Sequence, residues 1–485
     1  MRVAFIAAES EPWAKTGGLG DVVDALARAL GRIPGGPDLP VDVYLPRYRS
    51  VPVPDERVLG RGSVTIFDPR ASGAPSQVDV IDVAADGYRV RLLHHAPAFD
   101  RPAIYGEAGD YPDNPWRFNL LCLAALAAID AAGGADVLHI HDWHGGPTGL
   151  MRDALADVVP WLASAALVLT CHNLAYHGVV PREQIGDLGP LPAGVAAWDD
   201  VNLLYEGIRR SEMVNTVSPT FAREALTPEF GRGMEGLLGA MGDRFLGILN
   251  GIDMDLWDPA TDDTLAAPYS AADLEGRAAC RRDLLARVGF DPFDEGFLVG
   301  MVGRLDPQKG FDLAAAAAPG LLAEGFRFIV QGSGDPAIAS TLRSLAAARP
   351  DRVAFIERFD RAMARRIYAG ADTFLMPSRF EPSGQGQMIA LRYGTPPVVR
   401  STGGLADTVV DADDDPLAGN GFTFRLASPA ALADAVRRAA RARADAEAWT
   451  ALQQRGMALD WAWESGAAPA YAAMYQRAIG LRRGL

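Results

Sequence analysis

The sequence predicts an α/β protein built from two doubly wound parallel sheets. Short apolar runs of strand length alternate with longer amphipathic runs of helical spacing, in one series before residue 250 and a second series after it. The length of 485 residues allows two or three domains. With 49% hydrophobic and 22% charged residues, the composition is that of an ordinary globular protein and excludes a disordered or fibrous chain.

The first series starts with a strand predicted over residues 3–8. A Gly-containing loop follows, and apolar Val22, Val23, Leu26 and Leu30 recur at helical spacing, which predicts a helix over residues 21–30. The other runs of this half predict strands over 41–45, 78–83, 88–93, 137–140, 166–171 and 213–217, and helices over 116–131, 145–156 and 219–226. Residues 178–200 are rich in Gly, Pro and Asp and predict a long loop.

The second series begins after a junction at about residues 250–274, where Gly251, Pro259 and Pro268 suit a hinge. Its runs predict strands over 297–302, 326–331, 353–356, 373–376 and 397–400, and an Ala/Arg-rich stretch predicts helix over 430–455. We therefore expect two Rossmann-like domains, over residues 1–250 and 251–458. Sheets of this kind bind ligands at the carboxyl ends of their strands.

Charge and cysteine usage narrow the function class. The chain carries 46 Lys and Arg against 61 Asp and Glu, without the basic surplus typical of a nucleic-acid-binding protein. Cys122, Cys171 and Cys280 lie far apart in sequence, which fits a reducing compartment. Glu9 and Glu11 interrupt the first apolar run too early for a signal peptide, and no apolar run reaches 18 residues. These features predict a soluble cytoplasmic protein with no nucleic-acid or membrane partner.

Basic residues follow the first predicted strand of each half. Lys15 opens the segment KTGGLGD between a strand and a helix, where glycines allow a close backbone approach and a helix N-terminus favours an anion. Arg304 and Lys309 bracket the turn after residue 302 and could hold a diphosphate. A tight turn and ordinary surface cations explain the same residues, so the patterns alone leave both interpretations open.

A dehydrogenase is disfavoured by the same region of the sequence. The segment from Lys15 lacks the GxGxxG fingerprint of dinucleotide binding, and Asp42 lies inside the second predicted strand rather than after it.

All seven histidines fall in the first half, and the segment His139–His144 has the composition of a metal cluster. A zinc site needs three or four converging ligands, and no carboxylate or cysteine completes this set, so we expect no metal site. His172 and Asn173 follow the predicted strand 166–171, where they could hydrogen-bond hydroxyl groups. A structural histidine remains the alternative.

Glu381 lies in another Gly-containing turn, SRFEPSGQGQ, between a strand and a helix. One interpretation is that this carboxylate contacts a polar or cationic group. The alternative is an acidic residue at a helix N-terminus, where the helix dipole favours it. No nearby pair of Asp or Glu residues supports a glycosidase with an acid and a nucleophile.

Taken together, nine segments resemble the family of bacterial glycogen synthase and plant starch synthase, in the family's order and over nearly the entire chain. They are KTGGLGDV from Lys15, HDWH from His141, HNLAYHG from His172, NTVSPTFARE from Asn215, GMEGLL from Gly233, ILNGIDMDLWDP from Ile248, GRLDPQKGFDL from Gly303, SRFEPSGQGQ from Ser378 and STGGLADTV from Ser401. The family consists of retaining glucosyltransferases of the GT-B fold, with two Rossmann-like domains facing across a cleft. The resemblance implies this fold, with residues 459–485 packing back on the first domain.

The resemblance also implies roles for the matching residues. Those implied at the donor phosphates are Lys15, Gly17 and Gly18 in a loop, Asp21 at its base, Arg304 and Lys309 as a clamp, and the turn Gly384, Gln385 and Gly386. Those implied at the glucose and acceptor are His172, Asn173, Glu381, Asp142 and Tyr105, with Asn250 in the cleft at the hinge. Phe359 falls where the family usually has a tyrosine against the adenine, and its ring can still stack. Lys15, His172, Arg304, Lys309 and Glu381 are the residues expected to carry catalysis.

The chain departs from the family pattern at a few of these positions. Ser383 stands where cysteine is common, and Gln385-Gly386 replaces a Leu-Thr pair, so a threonine hydroxyl is missing beside the phosphates. Tyr205 and Cys280 replace a usual lysine and asparagine. Donor affinity and acceptor geometry are the properties that these changes affect.

The implied reaction is transfer of glucose from ADP-glucose to the 4-hydroxyl end of an α-1,4-glucan with retention of configuration, without metal or cofactor. Domain closure about the hinge would exclude water from the donor. Two rival hypotheses remain: a related GT-B transferase that uses another nucleotide sugar or a small acceptor, and a catalytically silent glucan-binding protein.

Overall fold

The computed structural model describes residues 1–34, 36, 40–71, 74–107 and 109–484. The chain folds into two compact units. The first unit comprises Met1–Val217, Ala222–Asn250 and Trp463–Leu485, and the second comprises Ser218–Phe221 and Gly251–Ala462. The chain therefore returns to the first unit at Trp463, four residues after the expected start of the C-terminal segment.

The described residues form seventeen strands. They are β1 Val3–Ile6, β2 Asp42–Pro46, β3 Val58–Phe67, β4 Pro75–Ala84, β5 Arg89–His94, β6 Val137–His141, β7 Ala166–Cys171, β8 Val179–Pro181, β9 Asp200–Asn202, β10 Met213–Thr216, β11 Phe245–Gly247, β12 Leu298–Val302, β13 Arg327–Gln331, β14 Val353–Ile356, β15 Thr373–Met376, β16 Pro397–Arg400 and β17 Phe422–Phe424.

Nineteen α-helices lie between and after these strands in the described part of the chain. They are α1 Gly18–Leu30, α2 Ala96–Phe99, α3 Asn114–Ala131, α4 Asp142–Gly145, α5 Pro147–Leu155, α6 Pro160–Ser164, α7 Leu203–Arg210, α8 Pro219–Glu224, α9 Pro228–Gly231, α10 Glu235–Met241, α11 Gly276–Arg287, α12 Phe311–Ala323, α13 Pro336–Ala348, α14 Arg361–Gly370, α15 Gly386–Arg392, α16 Gly403–Thr408, α17 Pro429–Ala442, α18 Ala446–Met457 and α19 Ala467–Arg483.

The first unit is built on a nine-stranded sheet in the order β11-β10-β7-β6-β1-β2-β5-β4-β3. Its strands are parallel from β11 to β5, and β4 runs antiparallel to both neighbours, β5 and β3. The prediction of a wholly parallel sheet is wrong at this edge because only four residues join β4 to β5, too few for the crossover that a parallel pair requires. Strand β3 was missed because Gly60 and Gly62 interrupt its exposed alternation.

The second unit is built on a six-stranded sheet, parallel throughout, in the order β14-β13-β12-β15-β16-β17. Predicted strands at 353–356, 373–376 and 397–400 are confirmed at the same bounds; β15 and β16 are largely buried apolar runs, whereas β14 is an apolar edge strand that is only partly buried. The stretch 430–455 is helical, as predicted, apart from a short break: α17 ends at Ala442 and α18 begins at Ala446, where the Asp445 side chain caps it by accepting from the Ala448 amide.

The region 178–200 was expected to be one long loop, and the structure corrects this. Strands β8 and β9 pair in a small antiparallel sheet at its two ends, and 3-10 turns at Arg182–Asp187 and Val195–Ala197 lie between them.

The C-terminal helix α19 packs into the core of the first unit, as the resemblance implied. Tyr471, Tyr475 and Ala478 on this helix are fully buried, among residues of α1 such as Val22 and of β7 such as Val168. No helix in the described ranges is both long and apolar enough to cross a membrane.

Candidate active site

The residues selected from the sequence follow parallel strands in both units. In the first unit, Lys15 follows β1, Asp142 follows β6, His172 follows β7 and Asn250 follows β11. In the second unit, Arg304 and Lys309 follow β12, Phe359 follows β14, and Glu381 and the turn Gly384–Gly386 follow β15. Each set therefore lies at the carboxyl edge of its own sheet.

A buried carboxylate that the sequence analysis did not select organises the loop between β1 and α1. Glu9 Oε2 accepts the backbone N–H groups of Thr16 (2.6 Å) and Gly17 (2.9 Å), and its Oε1 accepts the Tyr105 hydroxyl (2.5 Å). The amides of Thr16 and Gly17, expected to face an anion, are thus occupied from inside the protein. Burial raises the pKa of Glu9 above its ordinary value, although these hydrogen bonds act to lower it.

Lys15 lies between two carboxylates, Glu11 of its own loop and Asp21 in the first turn of α1. Its Nζ contacts Asp21 at 2.5 Å and Glu11 at 2.7 Å, and a third of its side chain is exposed. Burial acts to lower the pKa of Lys15, but the charges of Asp21 and Glu11 outweigh it and raise the pKa. The lysine is therefore firmly charged, and Asp21 holds it in place.

Asp142 joins the end of β6 to the residues after β7. Its backbone adopts the left-handed conformation, with φ of 51°, and its Oδ1 accepts the amides of His172 (2.7 Å) and Asn173 (3.4 Å). Burial raises the pKa of Asp142 to about 7, although the two amides act to lower it. The sequence-selected Asp142, His172 and Asn173 thus form one connected group.

The histidines of the first unit are hydrogen-bonded to one another and to neighbouring hydroxyls. His139 contacts Thr170 Oγ1 (2.7 Å) and the Tyr475 hydroxyl of α19 (2.8 Å) through its two ring nitrogens. His141 Nδ1 lies 3.0 Å from His172 Nε2. Burial lowers the pKa of His172 to about 3 and that of His141 well below its ordinary value, so both rings are neutral at pH 7.

The geometry of the segment His139–His144 does not support the hypothesis of a metal site. In the described ranges, no group of three or more His, Cys, Asp or Glu side chains is arranged to hold a metal ion. His144 turns away to stack on Tyr105, with ring centroids 5.1 Å apart. Tyr105 is thus held between His144 and the carboxylate of Glu9.

Asn250 is buried at the end of the first unit, and its Oδ1 has no hydrogen-bond partner in the part of the chain that the structure describes. A buried, unsatisfied amide oxygen is costly, so this side chain is a candidate for ligand contact.

In the second unit, the loop after β12, which carries Arg304 and Lys309, contacts the loop after β15, which carries Glu381. Lys309 Nζ lies 2.6 Å from Glu381 Oε2, which also accepts the Ser378 hydroxyl at 3.0 Å. Glu381 is buried, and Arg304 is half exposed, 3.7 Å from Asp306. The Glu381 carboxylate is therefore paired with a cation, one of the two interpretations that the sequence allowed. Arg304 lies at the surface, and its guanidinium is only loosely paired.

Glycines allow these loops to approach other backbone closely. A Cβ on Gly403, at φ of +47°, would lie 1.9 Å from the Glu381 carbonyl oxygen, and one on Gly404 would lie 1.9 Å from that of Ser383. A Cβ on Gly310, at φ of +71°, would lie 2.1 Å from the Pro377 carbonyl oxygen. Any side chain at these positions would displace the loop that carries Glu381.

The remaining predicted residues are less constrained. Phe359 is 70% exposed, so its ring is open to a ligand. Gly386 is the first residue of α15, and a Cβ there would meet Phe374, Met376 and Tyr368 at 3.1–3.3 Å. The threonine usual in the family therefore does not fit here without movement of these neighbours.

Two other departures lie at different kinds of position. Cys280 is buried on α11 with its Sγ 3.3 Å from the Ala267 carbonyl, whereas Tyr205 is 38% exposed at the start of α7. Of the two, only Tyr205 is open to a ligand.

Sequence reasoning missed Glu9 and Gln387. Gln387 is fully buried and donates to the carbonyls of Ser383 and Gly384 and to Thr408 Oγ1. These hydrogen bonds fix the turn that follows Glu381. The available signal for Glu9 was a charged residue directly after a buried apolar strand, where a carboxylate has to be hydrogen-bonded.

Comparison with known proteins finds similar proteins over nearly the whole chain. A family model described as starch synthase catalytic domain matches residues 2–240, and one described as glycosyl transferases group 1 matches residues 296–442. The glycogen synthase of Anaeromyxobacter sp. (strain Fw109-5) is 44% identical over 98% of this chain and 99% of its own length. That of Syntrophotalea carbinolica is 41% identical over 99% of both chains.

Solved structures agree with the sequence relatives. The catalytic domain of starch synthase IV from Arabidopsis thaliana, bound to ADP and acarbose, matches with a TM-score of 0.87 and 34% identity over 99% of both chains. Sucrose-phosphate synthase from Thermosynechococcus elongatus, at 19% identity and a TM-score of 0.63, shares the fold. The chain has the GT-B fold of starch synthase, and it is a glycosyltransferase that belongs to the glycogen synthase and starch synthase family.

Proposed function

We propose that this glycosyltransferase transfers glucose from ADP-glucose to the non-reducing 4-hydroxyl of an α-1,4-glucan with retention of configuration. The observation that carries the proposal is the contact between Lys309 and the buried Glu381 at the strand ends of the second unit. It brings a cation suited to a diphosphate next to an anion suited to sugar hydroxyls, as a nucleoside diphosphate sugar requires. The ADP bound to starch synthase IV supports adenine as the base.

The bond changes set the charges that the protein has to stabilise. The bond between the anomeric carbon and the diphosphate oxygen breaks, the acceptor 4-hydroxyl oxygen bonds to that carbon from the same face, and its proton passes to the departing phosphate oxygen. Positive charge develops on the glucose ring and negative charge on the diphosphate. Fixed cations stabilise the diphosphate, so no metal ion or cofactor takes part in this proposal.

The second unit supplies groups for the donor. Arg304 and Lys309 neutralise the diphosphate, and the backbone N–H groups of the turn Gly384–Gly386 add hydrogen bonds to it. Glu381 accepts hydrogen bonds from glucose hydroxyls and favours the positive ring of the transition state. Phe359 stacks on the adenine with its exposed ring.

The first unit supplies groups for the glucose, the acceptor and the phosphates. His172 and Asn173 contact the transferred glucose, and Asp142 and Tyr105 serve the glucose and acceptor side. Asn250 offers its unsatisfied amide oxygen. The loop residues Lys15, Gly17, Gly18 and Asp21 act on the phosphates, with Lys15 as the charge and Asp21 as its support.

The reaction is tested by ADP release from ADP-glucose with and without a glucan primer. We expect ADP release that depends on the primer, extension of the primer by α-1,4-linked glucose, and a higher kcat/KM with ADP-glucose than with UDP-glucose. Release that is faster with UDP-glucose would identify a related transferase with another donor. Primer binding without ADP release would identify a catalytically silent glucan-binding protein.

We also propose that the enzyme works in the reducing cytoplasm. Its three cysteines are all free and buried, which suits that compartment.

A further inference from the structure

We propose that His141 is a positioning residue that holds neutral His172 in the tautomer protonated at Nδ1, so that His172 presents an N–H donor to the substrate. The inference deepens the proposed function and rests on it in one respect, which is that His172 contacts the transferred glucose. It concerns the hydrogen-bonding character of that contact.

The two imidazole rings share one hydrogen bond. Nδ1 of His141 and Nε2 of His172 are 3.0 Å apart, and the centroids of the two rings are 5.3 Å apart. A neutral imidazole has one N–H donor and one acceptor nitrogen. Because His141 is fully buried, and two cationic rings in contact would repel, both rings are neutral and one donates to the other. The direction of this bond fixes the tautomer of both residues.

The other nitrogen of His141 decides the direction. Nε2 of His141 is buried without a hydrogen-bond partner in the part of the chain that the structure describes. If His172 were the donor, this Nε2 would carry a buried N–H group with nothing to receive it. If His141 is the donor, Nε2 is only an unused acceptor. Buried orphan N–H groups are the rarer of the two in proteins, so His141 Nδ1–H donates to His172 Nε2.

The aromatic rings packed around His141 keep it in this orientation. Its ring packs against His139, with centroids 4.2 Å apart, and against Phe5, at 5.3 Å. His139 is held in turn by Thr170 Oγ1 and the Tyr475 hydroxyl. A ring flip of His141 would have to displace this packed neighbourhood, so the donor stays directed at His172.

The consequence appears at the exposed side of His172. Its Nε2 is an acceptor, so its proton is on Nδ1, which forms no hydrogen bond within the described ranges, and the ring is only partly buried. This N–H is a donor for a sugar oxygen. The opposite tautomer would offer a lone pair and would instead require the sugar hydroxyl to donate.

The wild-type enzyme tests the inference directly. Two-bond ¹H–¹⁵N correlation spectra of protein labelled at its seven histidines distinguish a protonated from an unprotonated ring nitrogen. His172→Gln assigns the His172 signals by their loss. We expect both rings to be protonated at Nδ1 and unprotonated at Nε2: in His141 the Nδ1 proton is the one donated to His172, and in His172 it is the one offered to the substrate. Protonation of His172 at Nε2 would overturn the inference.

A pair of nearly isosteric variants tests the functional consequence. The amide of His141→Asn can still donate toward His172, whereas the carboxylate of His141→Asp, studied above the pH at which it is protonated, can only accept and draws a proton of His172 to Nε2. We expect His141→Asn to keep the wild-type tautomer and kcat/KM within about threefold. His141→Asp should invert the tautomer and lower kcat/KM by about tenfold, the effect of one hydrogen bond.

Equal kcat/KM in the two variants, with inverted tautomers in their spectra, would contradict a role for the donor. If His141→Asp does not fold, the wild-type spectrum and His141→Asn still decide the tautomer. His94→Asn, on β5 outside the cluster, is the matched control and should leave both readouts unchanged. Failure of ADP-glucose as a substrate would refute the proposed function but leave the tautomer measurable.

Discussion

The two sheets present different chemistry at their carboxyl ends. In the first unit, the ends of β6 and β7 carry His141 and His172, which are neutral and hydrogen-bonded to each other. In the second unit, they carry charged residues on two loops joined by the ion pair of Lys309 with Glu381. All seven histidines belong to the first unit, and the second has none.

The difference shows that one fold can hold polar groups at its strand ends in two ways, as paired neutral groups or as charged groups near solvent. Hydroxyl groups are recognised by oriented neutral donors and acceptors, which can be buried once each is paired. A diphosphate needs net positive charge, which is kept near solvent because an isolated buried cation is costly. The paired, neutral His141 and His172 fit the first requirement and the partly exposed Lys309 fits the second, and the predictions below test the contrast.

The largest effect should follow loss of a cation of the second unit. We expect Lys309→Ala and Arg304→Ala each to lower turnover by about 10²–10³, by analogy with loss of one charge-stabilising donor. Steady-state kinetics with ADP-glucose and primer measures this. Arg343→Ala, which removes a cation from an exposed ion pair of the same unit, is the control and should leave turnover unchanged. Near-normal turnover in folded Lys309 and Arg304 variants would make them ordinary surface residues.

Replacement of Glu381 should affect turnover more than nucleotide binding. Glu381→Gln keeps the shape and one acceptor, and Glu381→Ala removes both, so turnover should fall from wild type to Gln to Ala, by about tenfold or more at the last step. Both variants release Lys309 from its partner, so ADP should bind at least as tightly as to wild type. Calorimetry with ADP checks this, and tenfold weaker ADP binding with unchanged turnover would refute the role on glucose.

Acidification should destabilise the first unit and spare the second. A histidine with a lowered folded-state pKa takes up its proton only on unfolding, so stability falls as the pH drops below the ordinary pKa of 6.5. His144 and His172, with pKa values of about 3, should each cost about 2 kcal/mol between pH 7 and pH 5. His139 and His141 shift in the same direction.

Two carboxyl groups oppose this trend. Burial raises the pKa of Asp142 to about 7 and raises that of Glu9, so both keep a proton in the folded state over a wider range, and acidification favours that state. Between pH 7 and pH 5, Asp142 raises the free energy of unfolding by about 2 kcal/mol. Set against the loss of about 2 kcal/mol from each of His144 and His172, this leaves a net loss of about 2 kcal/mol or more. Hydrogen exchange resolved by peptide, corrected for its intrinsic pH dependence, measures each unit separately. Equal loss of protection in both units would contradict the contrast.

Glu9→Gln should have a smaller effect. The amide has one acceptor oxygen and an NH₂ donor, so the bonds accepted by one carboxylate oxygen are lost or reversed in direction, at a cost of about 1 kcal/mol. Thermal unfolding measures the loss of stability, and Glu464→Gln at an exposed ion pair is the control. A Tm equal to that of wild type would show that the carboxylate is not needed to hold the loop.

Removal of divalent metal should have the smallest effect. Because the proposed reaction relies on Lys15, Arg304 and Lys309 in place of a metal ion, activity should survive exhaustive EDTA treatment. Loss of activity that added metal restores would revive the segment His139–His144 as a metal site and remove the contrast between neutral and charged strand ends.

The sequence by itself identified most of the buried parallel strands, the family and the positions of the candidate residues. Buried parallel strands are continuous apolar runs, so 166–171 and 373–376 could be identified locally to within a residue. The residues that follow such strands have to lie at one edge of the sheet, which selected Lys15, His172 and Glu381 without coordinates.

Only the tertiary structure decided which of these residues touch. Lys309 meets Glu381 across 72 positions of sequence, and Glu9 meets Tyr105 across 96. Propensity and periodicity describe neighbours along the chain, whereas these contacts depend on the order of strands and the close approach of loops at Gly403 and Gly404. The burial that makes His172 neutral arises in the same way, from packing that no local pattern contains.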